Sequence, residues 1–266
     1  MERTINTETE TGPLLRVNNL HKDYGTVVGC RDVSFDLYRG EVLGIVGESG
    51  SGKTTVLNCV AGNLLPTSGQ VMFASGGQQL VDVASLSEPQ RRRLQREEWG
   101  YVHQNPRDGL RMRVSAGANV AEPLMNIGSR HYGDMRTSSV SWLERVELDT
   151  ARINHNPAQF SGGMQQRIQL ARNLIHQPKL VFMDEPTGGL DVSVQARLLD
   201  LMRELVRKLN LSAIVVTHDL AVARLLADRL MVMKDGKVVE TGLTDQVLDD
   251  PQHEYTQLLV SAVLQL

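Results

Sequence analysis

The stretch GESGSGKTT, from Gly47 to Thr55, holds the groups a nucleoside triphosphate needs. Gly47, Gly50 and Gly52 let the backbone curl so that its N–H groups turn toward phosphate oxygens. Ser49 and Thr55 belong to the same cradle, Lys53 is spaced to reach β- and γ-phosphates, and Thr54 offers a hydroxyl to Mg²⁺. A second set lies in LVFMDE, Leu180 to Glu185, an apolar run ending in two carboxylates. Open α/β sheets bind ligands where their strands end. Asp184 is suited to the Mg²⁺ shell; Glu185, one residue on and pointing differently, is suited to polarising a water for attack on the γ-phosphate. Mg-ATP binding and hydrolysis is the chemistry expected.

The elements that position these groups are also readable. Leu14–Leu20, Glu41–Val46, Gly69–Ala74, Leu180–Met183 and Ala213–Val216 read as strands. Leu57, Val60, Ala61 and Leu64 make one apolar face of a helix after the glycine loop. Ser87 and Gln90 have capping-box spacing at the head of a charged helix, and the chain from there to about Pro157 reads as mostly helical. Asp191 can cap a helix whose stripe is Val194, Leu198, Leu201 and Leu205, and Leu230–Glu240 reads as a hairpin turning at Asp235-Gly236. The expected fold is an α/β P-loop core at 14–248 with a helical subdomain inserted at about 88–160. A mobile tail at 1–13 and a helical tail at 249–266 flank it.

Composition bounds the rest. The chain has 266 residues, 41% of them hydrophobic, with a net charge of −3 and a pI near 6.2. That balance gives no general electrostatic reason to bind nucleic acid. No apolar run reaches a membrane span, no signal segment opens the chain, and Cys30 and Cys59 stand alone, so the expected setting is cytoplasmic, without direct membrane insertion.

FSGGMQQR, Phe160 to Arg167, lies between the two phosphate motifs. In that order Ser161-Gly162-Gly163 resembles the signature motif of ATP-binding cassette (ABC) ATPases, and the resemblance extends over about Leu14 to Leu248. It implies a RecA-like core with a helical and an antiparallel β subdomain. It further implies that Tyr24 stacks on adenine, Gln104 senses Mg²⁺ and γ-phosphate, Asp191 crosses a dimer interface and His218 contacts γ-phosphate. Two copies would pack head to tail around ATP, the signature helix of one facing the P-loop of the other. The departures are Phe160, Met164 and the pair Gly188-Gly189, none of which removes a charged catalytic group.

HQNPRDGLRMRVS follows the same glutamine and carries Arg107, Arg111 and Arg113. With the stretch through Leu124 it resembles the K-type cassette subunits of carbon–phosphorus lyase systems. The partner implied is a soluble lyase core, docked through Asn105–Ser115 and neighbouring residues, with a second related cassette as an alternative partner in the dimer. DDPQHEYTQLLVSAVL, Asp249 to Leu264, instead resembles the tail of peptide and nickel importer ATPases.

Overall fold

A computed structural model describes residues 12–75 and 79–263. The expected N-terminal tail falls, up to residue 11, outside the described residues, as do the last three residues of the C-terminal tail. In chain order the elements are β1 (Leu15–Asp23), β2 (Val28–Leu37), β3 (Val42–Val46), α1 (Lys53–Val60), β4 (Ser68–Ser75), β5 (Gln79–Asp82) and α2 (Glu88–Glu97). Next come β6 (Trp99–Val102), α3 (Pro106–Gly109), α4 (Ala116–Asn126), α5 (Tyr132–Arg145), α6 (Gly162–Leu174) and β7 (Leu180–Asp184). The remainder is α7 (Val192–Leu209), β8 (Ser212–Thr217), α8 (Leu220–Leu226), β9 (Arg229–Lys234), β10 (Lys237–Leu243), α9 (Thr244–Asp249) and α10 (Glu254–Val263).

These strands build two sheets. An antiparallel sheet runs β2-β1-β4-β5, and a larger sheet runs β10-β9-β3-β8-β7-β6, parallel except for β10. The central strands are apolar through their middles because both their faces are covered, with polar residues only at the ends, Asp184, Ser212 and Thr217. Val42, Val181, Met183, Ala213 and Val215 point into one core, shared with α4 to α8. Leu43, Ile45, Leu180, Phe182, Ile214 and Val216 alternate with them and point into the other, shared with α1 and the antiparallel sheet. Cys30 and Cys59 are both buried there as free thiols, pushed up to about 11 and about 12 by burial.

The expected hairpin forms: Lys234 pairs with Lys237, and Asp235 and Gly236 both take positive φ, 48° and 77°. That is the geometry of a tight two-residue turn. The capping box at Ser87 and Gln90 and the Asp191 cap on Val194 also form, the latter at 3.0 Å. Three readings change. The range expected to be helical contains β6, held against β7 because Trp99 fits edge-on between Phe73 and Phe182. α1 ends at Val60, and Gly62 with φ 69° turns the chain, so Leu64 reaches the core from outside the helix. β2 and β5 are additional strands, the alternation of β2 interrupted by bulges and by Asp32 at φ 53°.

Candidate nucleotide site

Four parallel strands deliver their loops to one edge of the large sheet. The P-loop follows β3, Gln104 follows β6, Glu185 follows β7 and His218 follows β8. Together with Tyr24 and Leu259 they line a cleft of about 660 Å³ that contains Gly47, Ser49, Gly50, Gly52, Lys53, Thr54 and Thr55. The loop's glycines are required by space as well as by φ. A Cβ on Gly47 would sit 2.2 Å from the Met233 carbonyl, and one on Gly52 2.2 Å from that of Gly29. Gly50 takes φ 83° with open space around it. Gly29 was not evident from sequence: a Cβ there would strike Tyr24 and Thr55 at 2.7 and 2.8 Å. Its absence lets the Tyr24 ring lie against the cradle, where the phenol is 3.5 Å from Thr55 Oγ1.

Lys53 is buried, and its Nζ donates to the carbonyls of Gly47 at 2.8 Å and Glu48 at 2.7 Å. Burial lowers its pKa, while Glu185, Asp184 and Glu48 pull it back up. Thr54 Oγ1 donates to Asp184 Oδ1 at 3.2 Å. The Asp184 carboxyl is raised above its ordinary range, by burial first, with the Thr54 hydroxyl opposing. A hydroxyl and a carboxylate side by side next to a phosphate cradle form an oxygen donor set of the kind a hard cation such as Mg²⁺ takes.

Glu185 is held differently. Its backbone takes φ 44°, with its N–H on the Val216 carbonyl at 2.9 Å and its own carbonyl accepting from Gly188 at 2.9 Å. This left-handed turn directs the carboxylate to His218 Nδ1 at 2.8 Å and Thr217 Oγ1 at 3.3 Å. The imidazole stays mostly exposed toward the cleft. A carboxylate oriented by two hydrogen bonds beside a cradle for phosphate can take a proton from water.

The signature residues do not line this cleft. Ser161 caps α6 through Met164 N at 3.4 Å, and Gly162 opens onto a second cleft of about 540 Å³ shared with Gln104 and Gly189. Gly163 packs so tightly that a Cβ would lie 2.3 Å from Val194 Cγ1. Asp191 stands exposed at the head of α7, its carboxyl held below its ordinary range by the Val194 N–H and the Ser193 hydroxyl. Met164 takes part in local packing, its sulfur 3.8 Å from Arg152, whose guanidinium stacks over Phe160.

Buried amides tie the motifs together, and sequence gave no signal for them. Gln166 Nε2 donates to the carbonyls of His103 at 3.2 Å and Pro186 at 2.8 Å. Gln169 brackets His103 from both sides, accepting from its N–H at 2.7 Å and donating to its carbonyl at 3.1 Å. α6 therefore holds both the Gln104 loop and the Asp-Glu loop. Asn119 of α4, fully buried, holds the next segment: Oδ1 accepts from Arg111 N, and Nδ2 donates to the carbonyls of Arg111, Val114 and Ser115. Arg111 pairs with Glu122 at 2.5 Å, whereas Arg107 and Arg113 are exposed without a side-chain partner among the described residues.

Comparison with known proteins agrees with this geometry. A model of the ABC transporter family matches residues 30–188. The chain is 63% identical over 253 residues to the putative phosphonates utilization ATP-binding protein PhnK of Escherichia coli K12, covering 95% of this chain and 98% of that protein. It is 38% identical to the dipeptide transport ATP-binding protein DppF of the same strain, over 96% and 77% of the two chains. Among solved structures, the dimeric post-hydrolysis state of the cassette MJ0796 bound to ADP and Pi superposes with TM-score 0.77 at 30% identity, over 86% and 98%. Among the described residues no helix is long and apolar enough to cross a membrane. With its phosphate cradle, its strand-end carboxylates and these relatives, the chain belongs to the ABC transporter family and is an ABC-type ATP hydrolase.

Proposed function

We propose that this cassette powers a carbon–phosphorus lyase machine in phosphonate breakdown. The observation that carries the reading is the 63% identity, over nearly the full length of both chains, to a phosphonates utilization protein. The peptide-import relatives reach 40% or less among those compared.

In the reaction, Tyr24 stacks on adenine and the backbone of Gly47–Thr55 cradles the phosphates. Lys53 keeps the Gly47 carbonyl and turns its remaining ammonium hydrogens to the β- and γ-phosphate oxygens. Thr54, Asp184 and Gln104 hold Mg²⁺, which when bound neutralises charge on those oxygens. Glu185 takes the proton of the attacking water, and His218, hydrogen-bonded to it, orients the carboxylate and faces the γ-phosphate. Because Ser161-Gly162-Gly163 and Asp191 do not line the chain's own nucleotide cleft, they serve the site of a second copy. The start of α6 then meets the γ-phosphate with its positive dipole end. A head-to-tail homodimer has two complete sites.

The lyase core docks at Asn105–Ser115. Arg107 and Arg113 are exposed there without a side-chain partner among the described residues, whereas Arg111 is paired with Glu122 and Asp108 adds one exposed carboxylate. Asn119 fixes the loop in advance, which lowers the ordering cost of docking.

The test is Glu185→Gln, purified with Mg-ATP together with whatever it holds. Turnover should fall by roughly 10²- to 10⁴-fold, the range of a lost general base, with ATP still bound. Soluble lyase subunits should co-purify. Undiminished hydrolysis refutes the role of Glu185, and recovery of a membrane permease refutes the lyase assignment in favour of an importer. The observation favouring that second reading is the importer-like tail DDPQHEYTQLL.

A further inference from the structure

The C-terminal helix is built into the back of the phosphate cradle. Its entry is gripped by Glu240 of β10, whose two oxygens accept from Gln252 N at 2.8 Å and His253 N at 3.0 Å. Tyr255 is then buried, its ring 4.9 Å beneath the Lys234 ammonium and its N–H donated to His253 Nδ1. The phenol oxygen accepts from the N–H of Glu48 at 3.0 Å, across 207 positions of sequence. One turn on, Leu259 lines the nucleotide cleft itself. The outer face of the same helix is solvated, with Leu258 67% exposed.

The peptide unit joining Gly47 to Glu48 is consequently held at both ends. Its carbonyl, on Gly47, accepts from Lys53 Nζ at 2.8 Å, and its N–H, on Glu48, donates to Tyr255 at 3.0 Å. In a trans peptide these two groups point in opposite directions, so both bonds report one rotation of one plane. Gly47 carries no side chain and sits at φ 149°, so what limits that rotation is these two hydrogen bonds and the close approach of the Met233 carbonyl. Turning the plane moves the carbonyl against which Lys53 is set.

We propose that Tyr255 is a positioning residue for ATP binding: its hydroxyl fixes the Gly47–Glu48 peptide, and through it the Lys53 ammonium, making the C-terminal helix part of the nucleotide site. This rests on Gly47–Thr55 being the ATP-binding loop.

Tyr255→Phe tests it, since the ring and its packing under Lys234 remain and only the hydroxyl is lost. The ATP dissociation constant, measured calorimetrically, and the KM should both rise roughly fivefold, the equivalent of one ordinary net hydrogen bond. The kcat should change less than about twofold, because chemistry at Glu185 is untouched. Hydrogen exchange at the Glu48 amide should accelerate by a similar factor. Leu258→Ala, on the outer face, should bind ATP like the parent. ATP affinity within twofold of the parent in Tyr255→Phe, or an equal loss of affinity in Leu258→Ala, overturns the proposal. Lys53→Ala separates the two layers of argument. Normal ATP binding in that variant would sink the assignment of the loop itself, whatever Tyr255→Phe shows.

Discussion

Replacing Asn119 by alanine should loosen the Arg111–Ser115 segment while leaving the nucleotide site intact. The side chain makes four hydrogen bonds, at 2.8, 3.1, 2.9 and 3.1 Å, to the Arg111 N–H and to the carbonyls of Arg111, Val114 and Ser115. Nδ2 has two hydrogens to share among three carbonyls, so at about 1 kcal/mol net each the sum has a ceiling near 3 kcal/mol. Two of the partners keep a second bond, the Arg111 carbonyl from Val114 N and the Ser115 carbonyl from Asn119 N. The Arg111 N–H and the Val114 carbonyl are the two left without a partner, which brings the expected loss to about 2–3 kcal/mol. If that stability is local, the Arg111 amide should exchange roughly 30- to 150-fold faster, at a factor of ten per 1.4 kcal/mol. Hydrogen exchange read by mass spectrometry on the peptide spanning Arg111 measures this. ATP affinity should stay within twofold, because Asn119 does not line the nucleotide cleft. Exchange at Arg111 accelerated less than threefold would show that the buried amide is not what holds the loop.

Two other substitutions probe different joints. Gly163→Ala places a Cβ 2.3 Å from Val194 Cγ1, a β-branched side chain with little rotameric freedom on a helix. The start of α6 must then move off α7, and turnover should fall at least about tenfold with ATP affinity held within twofold; normal turnover would show that this packing does not set the signature helix. His176→Gln addresses pH. The His176 ring accepts no charge readily, because burial lowers its pKa below 6.5, and it sits 3.0 Å from the Trp99 carbonyl. Between the folded value and 6.5 the unfolded chain binds more protons, so stability rises with pH through that window and is lost as pH falls through it. The glutamine variant should show a smaller drop in melting temperature from pH 7.5 to 5.5 than the parent; an identical drop would clear His176 of that role.

The phosphate cradle, the strand-end carboxylates and the cap at Asp191 were legible in sequence because each is a short run whose residue types suffice for its geometry. The central strands were legible because a sheet covered on both faces must be apolar through the middle of its strands. β6 was not, since four residues between charged flanks gain their conformation only from pairing with β7 and from the aromatic contacts of Trp99. Gln166, Gln169 and Asn119 were hidden for a related reason. A polar side chain on a helix looks solvated until the packed neighbour supplies its partners, and each of these bonds loop backbone that lies elsewhere in space. The arginines after Gln104 looked alike in sequence, and all three are exposed, yet the fold pairs Arg111 with Glu122 and gives Arg107 and Arg113 no side-chain partner among the described residues.

Glu185 sits at φ 44°, in a region where a side chain of its size costs of order 1–3 kcal/mol. Glycine would relax that backbone, and asparagine would tolerate it better. A laboratory selection on heat resistance alone therefore has a downhill path at this position. On the general-base role proposed for Glu185, it leads to hardy cassettes that still capture nucleotide but stall. Selection for a more durable version of this protein has to score phosphate release in the same round as survival.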